Sequence, residues 1–175
     1  MDTSTILSST TFDAGLLVLR LVLGIYMAAH GTQKLFGWFG GYGLNATGEF
    51  MVQLGFKQGR TFATLASVTE VTSGLLVAFG LLGPVGPALM ISVMIVAAVT
   101  VHLKAGAFAQ NGGVEVPVLY AVGALALALT GFGRYSLDAL LGLAPLAAPS
   151  IAYPVLAVGI LGGFANLAVR GRSLR

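Results

Sequence analysis

The chain has 175 residues, of which 57% are apolar and only 9% charged, with a net charge of +3. A soluble globular domain carries about 25% charged residues, so a hydrophilic enzyme domain, a coiled coil and a disordered chain are excluded. The lack of any cysteine removes disulfides, thiolate metal sites, iron–sulfur clusters and cysteine nucleophiles, while 25 glycines suit membrane helices whose backbones approach closely.

A spanning helix needs about 20 mostly apolar residues, and five stretches qualify with help from their flanks: 14–30, 61–82, 84–103, 116–133 and 151–169. The first follows a tail at 1–13 and is able to continue through Gly31 towards Phe36. It lacks a basic leader and holds Arg20 inside its apolar run, the reverse of a cleaved signal peptide. The 31–60 connection is the longest and sets Phe36, Trp38, Phe39, Tyr42, Phe50 and Phe56 among polar residues. Aromatic rings settle at the headgroup level, so this segment is expected to fold back as an interfacial lid, with a simple interfacial anchor as the plainer alternative. Gly83-Pro84-Val85-Gly86-Pro87 breaks the second stretch from the third and predicts a tight helical hairpin. Pro145, Pro149 and Pro154 cluster at the start of the fifth stretch and leave a re-entrant path open there. Gly159 and Gly163 supply one GxxxG match, weak as a dimerisation signal in so glycine-rich a chain.

Lys and Arg in short loops set orientation. With five spans, Lys34, Lys57, Arg60, Lys104, Arg170, Arg172 and Arg175 fall on one side, and Arg134 alone on the other. The expected topology is N-out, C-in.

Charges inside spans cost about 2.5–3.5 kcal/mol each on insertion scales, and Arg20 and Glu70 stand out. Counted at helix rise from the ends of their stretches, they lie about 15 Å and about 13 Å deep. That similarity predicts an Arg20–Glu70 ion pair or a shared polar network near the midplane, with Ser67, Thr69, Thr72 and Ser73 nearby to satisfy leftover polar atoms. A buried pair of this kind either fixes helix register or takes part in chemistry. A second group gathers at the cytoplasmic edge: His30 closes the first span, His102 the third, Lys34 and Lys104 follow them, and Glu115 precedes the fourth. Such a funnel suits a quinone headgroup, with His as hydrogen-bonding partner and proton relay. Two histidines on separate helices also suit haem iron, although nothing else in the sequence specifies a macrocycle pocket. No dinucleotide or P-loop pattern occurs, no metal-ligand cluster is apparent, and the tail is too short to argue nucleic-acid binding.

Four stretches in order resemble the DoxX family of small bacterial membrane proteins. They are Arg20-Leu21-Val22-Leu23-Gly24 leading to His30-Gly31-Thr32-Gln33-Lys34-Leu35; Glu70-Val71-Thr72-Ser73-Gly74; His102 followed by Gly112-Gly113-Val114-Glu115; and Gly131-Phe132-Gly133-Arg134-Tyr135-Ser136-Leu137-Asp138. The resemblance implies an all-α, polytopic four-helix membrane bundle over 14–140, with 141–175 adding a fifth transmembrane helix and a basic tail, in a bacterial inner membrane. It also implies membrane oxidoreductase complexes, whose relatives work with quinones and with partner proteins. On this reading Glu70, His30 and His102 are the candidate catalytic residues, and Arg20, Lys34 and Glu115 the candidate ligand-binding ones. The expected role is an integral membrane subunit supporting oxidoreductase chemistry on a quinone or similar apolar redox molecule. Electrons would come from a soluble or membrane redox partner, and a homo-oligomer is open. A non-enzymatic scaffold or chaperone that docks partner proteins is the alternative.

Overall fold

The computed structural model describes residues 3–171, and every regular element among them is helical. Met1 and Asp2 of the expected tail, and Arg172 and Arg175 of the orientation count, lie outside the described residues. The helices are α1 (Thr3–Phe36), α2 (Gly43–Gln53), α3 (Gly59–Phe79), α4 (Val85–Ala97), α5 (Glu115–Thr130), α6 (Leu137–Leu140) and α7 (Pro149–Ala168). Four stretches are long and apolar enough to cross a bilayer: Ser9–Phe36, Gly59–Phe79, Val85–Ala105 and Pro149–Ala168.

Two boundaries differ from the sequence expectation. Residues 3–13 contain neither Gly nor Pro, so nothing breaks the helix there, and α1 runs unbroken from Thr3 through the expected tail to Phe36. The fourth expected span is a helix of 16 residues, about 24 Å long. It stops at Thr130 because Gly131 and Gly133 adopt φ of 74° and 72°, outside the helical region.

The backbone of α1 lies directly on that of α3. A Cβ added at Gly24 would sit 2.5 Å from Gly74 O and Ala78 N; at Gly31, 2.6 Å from Ser67 O; at Gly74, 2.4 Å from Ala28 N. The two helices run antiparallel, and Gly24 and Gly31 on α1 recur one heptad apart opposite Gly74 and Ser67, a heptad apart on α3, which keeps the seam facing its partner. The Gly80–Pro84 turn reverses α3 into α4, and α7 then lies along α4. Gly159 meets Ala88 and Gly163 meets Ser92 and Ile95, so the GxxxG of α7 serves a contact within this chain. Met27, Val77, Met90, Ala124, Leu127 and Leu156 fill the core between these helices.

At one end of the bundle α1 stops, α3 starts, α4 stops and α7 finishes; Gly171 N donates to Gly55 O at 2.9 Å and Arg170 Nε to Leu54 O at 2.5 Å. Here α4 does not end as an α-helix. It widens into a π turn at Ala98–His102, the kind of local under-winding that recurs at functional sites. The 31–60 segment folds back at the same end, and α2 packs against α3 with Gly48 beside Arg60 and Gly59.

Because the α1–α3 seam has no room for side chains, Gly31→Leu is expected to lower stability by about 3 kcal/mol or more. Thermal unfolding in detergent reads this directly. Gly15→Ala is the control: nothing lies within 4 Å of its added Cβ, and it should unfold at the wild-type temperature or slightly above.

Candidate functional site

At the end where α1 stops, five elements enclose a cavity of about 190 Å³. Its floor is apolar, formed by Phe50, Met51 and Leu54 around the end of α2 and by Val93 and Val96 of α4. Its polar wall is Lys34 from α1, Thr47 from α2, Glu70 from α3, and Thr100 and His102 from the π turn. Lys34, Thr47 and Phe50 also border an outer cleft of about 460 Å³ with Tyr42, Glu49 and Gln53, so these three residues stand between the inner cavity and the surface. A smaller hollow of about 50 Å³ shares Met51, Ala66, Val93 and Val96 with the cavity and continues towards Ser92 and Asn166.

The cavity is built around an ion pair between Lys34 Nζ and Glu70 Oε1. Glu70 is 1% exposed and Lys34 34%, so the acid is buried and the base reaches it from the rim, its stem along apolar surface. The expected Arg20–Glu70 pair is therefore not formed. The reason is register. Since α1 continues to Phe36, Gly31 lies against Ser67 and Val71, and Gly24 against Gly74 and Ala78. Glu70 thus faces the 31–34 turn of α1, and Arg20 faces Gly80, ten residues and about 15 Å farther along α3. Glu70 Oε2 has no hydrogen-bond partner among the described residues.

The other expected site residues separate. His102 lines the cavity, and its Nδ1 lies 2.6 Å from Gly112 O. His30 is exposed, lies 3.2 Å from Gln33 Oε1, and rests edge-on against Tyr120 at 6.1 Å. The two imidazoles thus do not share the cavity wall, which removes the geometric support for haem held between them. Glu115 is exposed and accepts from Ala109 N at 2.8 Å, closing its own loop outside the cavity. Among the described residues, no group of three or more His, Asp or Glu gathers as for a metal ion.

Arg20 belongs to the opposite end. It is 2% exposed and donates through Nη2 to the Tyr135 carbonyl, leaving Nε and Nη1 without partners among the described residues. The 133–138 segment fastens this end. Arg134 Nε meets Asp13 Oδ2 at 2.5 Å and Arg134 N donates to Asp13 Oδ1 at 3.0 Å. The hydrogen bond to Asp13 raises the already high Arg134 pKa further. Ser136 caps α6 by accepting from Ala139 N. Asp138, buried, accepts from Leu82 N at 2.8 Å and Gly83 N at 2.7 Å. Leu82 has φ of 62°, a conformation costing a non-glycine residue about 1 kcal/mol or more; the carboxylate offsets it by drawing two successive N–H groups to one anion. Sequence reasoning reached this stretch only through a resemblance, and missed Asp13 and Asp138 as clamps.

With the geometry described, relatives can be compared. The DoxX family profile matches residues 15–103, a range that holds Arg20, His30, Lys34, Glu70 and His102. Over 128 residues the chain is 31% identical to the Bacillus subtilis (strain 168) protein named "Putative oxidoreductase CatD", covering 73% of this chain and 87% of that one. The chain belongs to the DoxX family. Together with its four apolar helices this makes it a multi-pass membrane protein. No solved structure matches it. The DoxX profile ends before Glu115 and the 133–138 clamp, so those features rest on the geometry alone.

Two outcomes test these assignments. Lys34→Ala strands a buried carboxylate and should cost about 3 kcal/mol, the low end for an unpaired buried charge because Lys34 is one-third exposed; the double change Lys34→Met, Glu70→Gln should recover most of it in the same thermal unfolding assay. Asp138→Ala leaves two buried N–H groups unpaired and should cost about 2–4 kcal/mol, measured as lost thermal stability with the Lys34–Glu70 end unaltered.

Proposed function

We propose that this DoxX protein is an integral membrane subunit supporting oxidoreductase chemistry, and that its cavity receives the headgroup of a quinone-type amphiphile. The observation that carries the reading is a buried carboxylate with one oxygen tied to Lys34 and the other without a partner among the described residues, set in the polar wall of a cavity whose floor is apolar. A buried polar atom without a partner is costly, and one such atom beside an ion pair and an imidazole is an anchoring point for the polar end of an apolar molecule. Size agrees: a cavity on the order of 150 Å³ takes a benzene ring. The hollow that continues past Val93 and Val96 towards Asn166 gives an apolar tail a direction to leave. The oxidoreductase link draws further support from the name of the Bacillus subtilis relative.

In this reading Glu70 and His102 are the groups at the reacting headgroup, Lys34 holds Glu70, and Arg20, His30 and Glu115 serve elsewhere in the fold. The chain crosses a bacterial inner membrane five times, with α5 as the short fourth crossing, completed by the non-helical 131–133. Lys34, Lys57, Arg60, Lys104 and Arg170 lie at the cavity end, whereas Arg134 at the other end is paired with Asp13; the positive-inside rule then gives N-out, C-in. Electrons pass to or from a partner protein, for which the exposed Phe36, Trp38, Phe39 and Tyr42 offer an aromatic apron.

Lipid-retaining purification in nanodiscs followed by extraction and mass spectrometry tests the reading. Wild-type protein should carry bound quinone or quinol. Glu70→Leu combined with His102→Phe should lower retention by about tenfold, the loss of roughly one charged hydrogen bond. Equal retention by both proteins, or none by the wild type, would count against the site.

A further inference from the structure

Apart from the Lys34 ammonium, the side-chain polar atoms around the cavity share one property: they accept hydrogen bonds. Thr47 Oγ1 donates its only proton to Gly43 O and Thr100 Oγ1 donates its own to Val96 O, both at 2.8 Å. What each hydroxyl has left is lone pairs. His102 Nδ1 faces the Gly112 carbonyl, which can only accept, so Nδ1 carries the proton and a neutral imidazole leaves Nε2 as an acceptor. Glu70 Oε2 is a carboxylate oxygen with no donor among the described residues. The wall's one cation among the described residues, Lys34, spends one of its three N–H groups on Glu70 Oε1 and keeps the other two towards the rim.

Such a wall discriminates between the two redox forms of the ligand class proposed above. An oxidised quinone offers carbonyl oxygens, acceptors only, and would set oxygen against oxygen at Glu70. A reduced quinol offers O–H groups. We propose that this cavity selects the reduced, hydroxyl-bearing form, with one ligand O–H donating to Glu70 Oε2 and His102 Nε2 and the two threonine hydroxyls as further acceptors. The inference rests on the quinone-type reading and adds to it which partner of the redox couple the resting protein holds. A charge-assisted O–H···O⁻ bond is roughly twice as strong as a neutral one, and a quinone carbonyl has no counterpart to it at Glu70 Oε2.

The test uses the full chain in nanodiscs under anaerobic conditions, titrated calorimetrically with trimethylhydroquinone, its dimethyl ether and trimethylbenzoquinone. Wild-type protein should bind the hydroquinone about tenfold or more tightly than either of the other two. Glu70→Gln, whose amide offers an N–H, should shrink or reverse that preference. The wild-type comparison decides by itself should the variant fold poorly. Quinone or ether binding as tight as hydroquinone binding overturns donor selection and leaves a quinone-type site standing; binding of none of the three overturns the quinone-type reading together with this one.

Discussion

The close contact between α1 and α3 decides where every buried charge ends up. Gly24, Gly31 and Gly74 bring the two backbones so near that the helices cannot slide without driving a carbonyl into a Cα. Membrane helices gain nothing from burying apolar surface away from lipid, so such small-residue seams supply the packing that fixes their alignment. Once that alignment is set, the 31–34 turn lies opposite Glu70, and Arg20 lies opposite the start of the Gly80–Pro84 turn. Two charges that a looser pairing would join are thereby sent to opposite ends of the bundle.

Those ends are finished differently. Around 133–138, Asp138 accepts from two backbone donors and Arg134 pairs with Asp13, an arrangement that holds a strained turn still, while Arg20 beside it keeps two donor atoms without partners among the described residues. At the other end it is acceptors that are left open: Glu70 Oε2 has no partner among the described residues, and the threonine hydroxyls spend their protons on their own helices. A carboxylate that merely fixed helix register would gain by using both oxygens, as Asp138 does. Glu70 uses one.

Much of this was legible in the sequence. The membrane class, the helical hairpin at Gly83–Pro87, the return of the 31–60 segment and the isolation of Arg20 and Glu70 inside apolar runs all follow from composition and spacing. What was not legible was register. Hydropathy marks where a helix is apolar, not where it stops; α1 passes the apolar limit at His30 and carries on to Phe36 because nothing before Gly37 breaks it, and that extension re-pairs Glu70 with Lys34. The separation of His30 from His102 escaped for a related reason. Both sit near one end by counting, but facing is set by which neighbour packs alongside, here Tyr120 for one and the 106–113 loop for the other. The π turn leaves no trace in residue types at all.

That turn supplies two side chains, Thr100 and His102, to the wall of the cavity that also receives Glu70. Lys34 completes the design from the other direction. Its stem passes the rim between the inner cavity and the outer cleft, so the charge that neutralises Glu70 stays partly in contact with the surface while the carboxylate does not. An anion buried at the cavity wall and balanced from the rim stays charged and keeps one oxygen available, which is the condition a binding site needs and a register staple does not.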